Sequence, residues 1–256
     1  RDDARLALIE ELQRDQDPRL ASLVIAELDK VPYDKLQKMD LRISADRLLA
    51  ELASMRGYPF RATRVLLLGL DGSSAARTKI TSYFDDAPTW SAESILGAYA
   101  AAFIEIDGAQ AVQHLANRFF TDKSQPQGKL DQITLALATH NASAGPELRN
   151  AIERAISLYL EHRPEAGATV ARQFGTLSDW SQADNLLDLM STGKVTNVGQ
   201  LIAVSGYVAQ AQRVSRFEPE QAQPLGFSKQ PKSFQRLDDT CAQGSNSACA
   251  PSTTGD

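Results

Sequence analysis

The sequence predicts an all-α protein, an antiparallel array of helical hairpins, and three observations support this prediction. Apolar residues recur at helical spacing along almost all of residues 2–214. The segments between the helical stretches are short and rich in Gly and Pro, the residues that end or begin helices. No alternating apolar and polar run is followed by a hairpin turn, so we expect almost no sheet.

The first helices show the pattern most clearly. In residues 2–14, the side chains of Leu6, Ile9 and Leu12 share one face, and charged side chains cover the other. Next along the chain, an Asp-Pro pair provides an N-cap followed by a residue that needs no amide partner. The predicted helices are 2–14, 17–30, 34–55, 61–70, 75–84, 91–106, 108–120, 128–140, 146–162, 165–177, 181–190 and 197–214.

The later helices pair into hairpins that recur about every 35–40 residues, the range of helical-hairpin repeats. These pairs are 91–120, 128–162 and 165–190. The stretch DPRLASLVIAELDK at 17–30 resembles the start of a HEAT helix, and over roughly residues 2–214 the chain resembles the HEAT/armadillo class. That resemblance implies a stacked superhelical repeat and a binding role, and it carries over no catalytic residue. An open solenoid and a compact bundle both fit the pattern.

The C-terminal residues differ in composition from the rest. We predict a folded helical domain at 1–214 and an irregular tail at 215–256, where bulky apolar residues thin out and prolines are scattered. Such a segment buries too little apolar surface to offset the entropy of ordering it. Phe227 and Phe234 are candidates for contacts of this tail with the domain or with a partner protein.

Two cysteines, Cys241 and Cys249, lie close together in this tail. A short-loop disulfide between them is the simplest interpretation, and it implies an oxidising compartment. The chain begins at Arg1, which fits either a mature form that has lost a leader or a trimmed chain. We therefore expect a periplasmic or secreted protein, with a cytoplasmic protein carrying two free thiols as the alternative.

The stretch VLLLGLDGSSAARTKI at 65–80 raises the question of a phosphate-binding loop. A Walker-type loop counted from Gly69 needs Gly, Lys and a hydroxyl residue at positions that hold Ser74, Ala75 and Ala76 instead. We therefore predict a buried helix, a turn and a second helix capped by a serine, and no nucleotide cofactor.

No other pattern predicts catalysis or metal binding. His114, His140 and His162 are widely separated, and metal sites usually show histidine pairs at helical spacing. We expect His140 to close a helix, where a partly charged ring would suit the helix dipole. Glu105 and Asp107 are expected to be solvated at a helix end. No catalytic residue, metal ligand or cofactor is predicted.

Trp90 and Trp180 each stand at a predicted helix start, in PTWSAES and SDWSQAD. Either tryptophan could be a buried staple between hairpins or an exposed anchor for a partner, because tryptophan is enriched at binding hot spots. The remaining aromatic group is expected in the core: Tyr58, Phe60, Tyr83 and Phe84.

These patterns favour a non-catalytic scaffold or adaptor that binds a partner protein through the repeat surface, the tail, or both. The alternative is an enzyme or enzyme accessory, such as a lyase-like repeat protein, whose site is scattered across repeats. The formal charge of −5 argues against a nucleic-acid partner. No apolar run approaches the roughly 20 residues of a transmembrane helix.

Overall fold

The computed structural model describes residues 2–15, 17–86, 93–195 and 197–217. This part of the chain contains thirteen α-helices and no strand, so the all-α prediction is confirmed for these residues. The helices are α1 Asp2–Leu12, α2 Pro18–Leu28, α3 Tyr33–Leu36, α4 Ala45–Leu52, α5 Arg61–Asp71, α6 Ser74–Asp86, α7 Glu93–Asp107, α8 Ala109–Leu115, α9 Gln127–Asn141, α10 Pro146–His162, α11 Gly167–Thr176, α12 Ala183–Ser191 and α13 Val198–Phe217.

Alternate helices pack on one another through most of the chain. From α5 to α13, each odd-numbered helix contacts the next odd-numbered helix, so these five helices form one layer. The intervening helices cover that layer: α6 packs on α5 and α7, α8 on α7 and α10, and α12 on α11 and α13. Each hairpin thus buries its apolar face against its neighbours along the chain.

One continuous hydrophobic cluster includes residues from α1 to α13. Its fully buried side chains include Leu28, Phe84 and Phe174, which come from widely separated parts of the chain. Helices α5 and α7 approach so closely that a Cβ atom added at Gly69 would lie 2.7 Å from the Cα of Ala102. The small residues at this contact let the two backbones come together.

The stretch at 65–80 is a helix, a turn and a second helix, as predicted. Gly69 lies inside α5, and Gly72 ends that helix with a φ of +63°, in the left-handed region that glycine adopts without strain. The hydroxyl of Ser73 accepts a hydrogen bond of 3.3 Å from the backbone N–H of Ala76, which caps the start of α6.

The predicted single helix at 34–55 is wrong. The structure has the short α3 and then α4, with non-helical residues 37–44 between them. Met39, Leu41 and Ile43 are spaced by two, so they reach the core from a non-helical segment rather than from one helix face. Ser44 then caps α4 by accepting a hydrogen bond from the backbone N–H of Arg47.

The last described helix, α13, reaches Phe217, so residues 215–217 are helical rather than the start of an irregular tail. Residues 218–256, on which the rest of the tail prediction falls, lie outside the described residues. Among the helices that the structure describes, including the 20-residue α13, none combines the length and apolarity needed to cross a bilayer.

Candidate functional site

The connection between α4 and α5, residues 54–60, presents three large apolar side chains to solvent. We call this segment the 54–60 loop. Met55 is 85% exposed, Tyr58 71% and Phe60 40%. Single exposed apolar residues are ordinary on protein surfaces, but three within six positions make this loop a candidate interaction surface.

A buried ion pair fixes the backbone of the 54–60 loop. Nε of Arg64 donates to Oε2 of Glu51 at 2.6 Å, and only 5% of the Arg64 side chain is exposed. The same guanidinium donates to the carbonyl oxygens of Gly57 and Pro59 within the loop. The loop carbonyls therefore have a charged partner, and the loop conformation is built into the fold.

Two backbone features show how closely this loop is packed. A Cβ atom at Gly57 would lie 1.9 Å from the carbonyl oxygen of Glu51, so only glycine fits that position. Phe60 has a φ of +57°, in the left-handed region that costs an L-residue about 1–2 kcal/mol. Such strain persists only where the surroundings impose it, and it is common at functional sites.

A second group of polar side chains, the Glu105 cluster, joins three helical regions; His140 in it is buried and the other members are half-buried. It comprises Tyr33, Gln37, Glu105 and His140. The hydroxyl of Tyr33 donates to Oε2 of Glu105 at 2.9 Å, and Nε2 of Gln37 donates to the same oxygen at 2.8 Å. The Tyr33 ring meets the His140 ring edge-on, with centroids 5.3 Å apart.

His140 is neutral in this arrangement. Its Nε2 lies 2.9 Å from the carbonyl oxygen of Ala101, which can only accept, so Nε2 carries the proton. Its Nδ1 lies 3.7 Å from Oε2 of Glu105. Burial lowers the pKa of His140, and the charge of Glu105 and the bond to Ala101 oppose this effect. Burial also raises the pKa of the Tyr33 hydroxyl, and the neighbouring Glu105 adds to that rise.

These contacts correct two predictions. His140 does lie in the last turn of α9, as predicted, but the expected partial charge is disfavoured, because the ring is 3% exposed and burial lowers its pKa. The expected solvated Glu105 and Asp107 are also wrong. Glu105 accepts bonds from Tyr33 and Gln37, and Asp107 forms an ion pair with Arg77.

A cavity of about 530 Å³ lies where α8 and α10 begin, lined by residues 107–110 and 145–148. Its volume falls within the range of small-molecule pockets. Neither Glu105 nor His140 lines it. The Glu105 cluster and the cavity are therefore separate features, and no nucleophile or general base of the cluster lines the cavity.

Of the residues predicted to bind a partner, Trp180 is in the described part of the chain. Trp180 is partly buried and packs on Tyr207, with ring centroids 5.1 Å apart, a contact of the staple type. Trp90, Phe227, Phe234 and the cysteines Cys241 and Cys249 lie outside the described residues. Their predicted roles stay predictions.

The 54–60 loop was not predicted, because all four aromatic residues of one group were expected in the core. Phe84 is indeed buried, and Tyr83 packs against the core, but Tyr58 and Phe60 are exposed. A signal was present in GYPF at 57–60, where the aromatics flank a proline after a glycine instead of following helical spacing.

No group of three or more His, Cys, Asp or Glu side chains in the described ranges could hold a metal ion. No family model matches the chain, and no curated protein or solved structure matches it at the significance expected of a relative. Conclusions about function therefore come from this chain's own residues.

Proposed function

We propose that this protein is a non-catalytic scaffold that binds a partner protein, with the 54–60 loop as its principal contact. One observation carries the proposal: Met55, Tyr58 and Phe60 are exposed on a loop that Arg64 and Glu51 hold in place. Binding residues are disproportionately found on loops that a rigid scaffold positions.

The composition of the loop suits a binding hot spot. Tyrosine is enriched at hot spots, and methionine adapts to irregular apolar surfaces. Because Arg64 already orders the backbone, the 54–60 loop would lose less conformational entropy on binding a partner than a mobile loop would. Phe60 has a left-handed φ, so backbone strain is retained next to the exposed side chains.

The helical array would serve as the rigid carrier. We propose that it belongs to the HEAT-like repeat architecture, which the packing of alternate helices from α5 to α13 supports. Further binding contacts are proposed at Trp90, and at Phe227 and Phe234 in the tail.

Affinity capture from the source organism tests the proposal. The full chain is compared with a Tyr58→Ser/Phe60→Ser variant and with a Phe227→Ser/Phe234→Ser variant, and bound proteins are quantified by mass spectrometry. We expect a protein that the native chain and the tail variant retain and that the loop variant loses at least tenfold. A partner lost only with the tail variant would move the site to the tail.

We propose export to an oxidising compartment, with a disulfide between Cys241 and Cys249. The supporting observation is the spacing of the two cysteines in a polar segment. Thiol titration of freshly purified native protein should find no free thiol. Two free thiols would remove the argument for export.

An enzymatic role is the second candidate, and the Glu105 cluster is the observation in its favour. A histidine and a carboxylate within 3.7 Å could exchange a proton. Against this, His140 is buried and bonded to Ala101, and Oε2 of Glu105 already accepts bonds from Tyr33 and Gln37. This geometry suits a contact between helices better than a site open to substrate.

A further inference from the structure

We infer that Met55 is a site of reversible oxidation to methionine sulfoxide by peroxides, and that the sulfoxide weakens binding of a partner by the 54–60 loop. This inference rests on the proposed function and adds a means of regulating the same surface. Met55 is 85% exposed, the highest value among the exposed large apolar side chains of the described residues. Oxidation of a methionine depends on access of the oxidant to its sulfur, and a peroxide in solution reaches this side chain directly.

The chain has three methionines, and the other two are placed differently. Met39 lies in the non-helical segment before α4, and Met190 lies in the last turn of α12. Both are half-buried and pack against the hydrophobic core. A sulfoxide at either position would bring a polar group against that core, whereas a sulfoxide at Met55 meets water. Met55 is therefore the methionine that the fold exposes to oxidation and whose oxidation leaves the core intact.

The backbone of the 54–60 loop is held by groups other than the side chain of Met55. The N–H of Tyr58 donates to the carbonyl oxygen of Met55 at 3.2 Å. The guanidinium of Arg64 donates to the carbonyl oxygens of Gly57 and Pro59. None of these bonds uses an atom of the methionine side chain. Oxidation of the sulfur therefore changes the surface of the loop and leaves its conformation in place.

The oxidation transfers one oxygen atom and two electrons. The sulfur lone pair of Met55 attacks one oxygen of hydrogen peroxide, the O–O bond breaks as the S–O bond forms, and the second oxygen leaves as water after taking the remaining proton. Sulfur is oxidised by two electrons and the peroxide is reduced by two. A methionine sulfoxide reductase reverses the step with two thiols, which become a disulfide while the oxygen leaves as water.

The sulfoxide turns an adaptable apolar side chain into a polar one. In the unoxidised loop, Met55 is exposed together with Tyr58 and Phe60, and methionine adapts to irregular apolar surfaces. The sulfoxide oxygen accepts hydrogen bonds from water, and it would lose them against an apolar partner surface. Oxidation therefore disfavours the bound state and leaves the free chain unchanged.

Peptide mapping by mass spectrometry tests the modification. The full chain is incubated with hydrogen peroxide, and the sulfoxide at each methionine is followed with time. We expect Met55 to be oxidised at least about tenfold faster than Met39 and Met190, because reactivity follows exposure. The melting temperature of the chain oxidised at Met55 should equal that of the unoxidised chain. Equal rates at the three methionines, or a lowered melting temperature, would overturn the inference.

Affinity capture from the source organism tests the effect on binding. The oxidised chain should retain the loop-dependent partner at least about tenfold less than the unoxidised chain, and treatment with a sulfoxide reductase and a dithiol should restore the capture. Met55→Leu is the matched control: it stays apolar and cannot form a sulfoxide, so it should capture the partner before and after peroxide. Met55→Gln, which places a polar side chain of similar length there, should capture as poorly as the oxidised chain.

The outcomes separate the inference from the proposed function. Capture that is unchanged by oxidation of Met55, or that peroxide abolishes equally in Met55→Leu, would overturn the inference and leave the proposed function intact. If the unoxidised chain captures no protein that the Tyr58→Ser/Phe60→Ser variant loses, the proposed function itself is contradicted, and the inference fails with it.

Discussion

The 54–60 loop and the Glu105 cluster use buried polar groups for opposite purposes. In the loop, the buried Arg64 bonds to the half-buried Glu51 and holds the backbone from which apolar side chains face water. In the cluster, Glu105 accepts bonds from Tyr33 in α3 and from Gln37, which directly follows α3, and so ties α3 to α7. The comparison teaches that a buried ion pair can organise a surface, whereas a buried hydrogen-bond network organises the contact between helices.

The largest effect is expected from breaking the support of the loop. Arg64→Met should lower the free energy of unfolding by about 3 kcal/mol, because it removes a buried charge pair and leaves two loop carbonyls without their donor. Arg47→Met is the matched control, since Arg47 bonds to the same Glu51 at a more exposed position. That change should cost about 0.5 kcal/mol. Chemical denaturation measures both, and equal losses would show that the buried pair has no special role.

A smaller effect is expected in the Glu105 cluster. Tyr33→Phe removes one of the two donors to Oε2 and should cost about 1.5 kcal/mol, because Gln37 remains bonded. Tyr58→Phe is the control, because Tyr58 is 71% exposed, and it should leave stability unchanged. The comparison is made by urea denaturation. If Tyr33→Phe were as silent as Tyr58→Phe, the cluster would not hold α3 in place.

A substitution at Phe60, which has a left-handed φ, distinguishes an effect on stability from an effect on partner binding. Phe60→Gly should change the free energy of unfolding by less than about 1 kcal/mol, because relief of the left-handed strain offsets lost packing. It should nonetheless weaken partner binding strongly. Ser178→Gly, at an exposed residue with a φ of +55°, should raise stability by about 0.5 kcal/mol. A large stability loss for Phe60→Gly alone would identify Phe60 as a core residue.

The smallest expected effect is a pH dependence from His140. Its pKa is lower in the folded chain than the ordinary value of 6.5, so below about pH 6.5 the unfolded chain binds the proton more readily. This contribution to stability is present above that pH and is lost as the pH falls through the lowered pKa. Glu105 keeps the effect small by opposing burial. Denaturation between about pH 7.5 and 5.5 should show a shallower pH slope for His140→Gln than for the native chain. Identical slopes would show that His140 does not contribute to the pH dependence of the free energy of unfolding.

The sequence predicted the helices well because their apolar spacing is regular and their caps are local. The stretch at 65–80 is one example, since Gly72 and Ser73 carry the signals that end and begin helices. The functional residues were predicted less well. The environments of Glu105 and His140 depend on Tyr33, and that residue is 72 positions from Glu105. Tyr58 and Phe60 lie on a loop whose backbone Arg64 holds, and the Arg64–Glu51 contact joins residues 13 positions apart, which no local pattern predicts.

Site-specific photo-crosslinking tests most directly that the 54–60 loop binds a partner protein. A benzoylphenylalanine residue replaces Tyr58 or, as the control, Val198, which is 70% exposed on α13. Both chains are irradiated in the source organism. We predict one discrete adduct of higher mass from position 58 that disappears when Phe60→Ser is added, and no such adduct from position 198. An absent adduct at position 58, or the same adduct from both positions, would contradict the account.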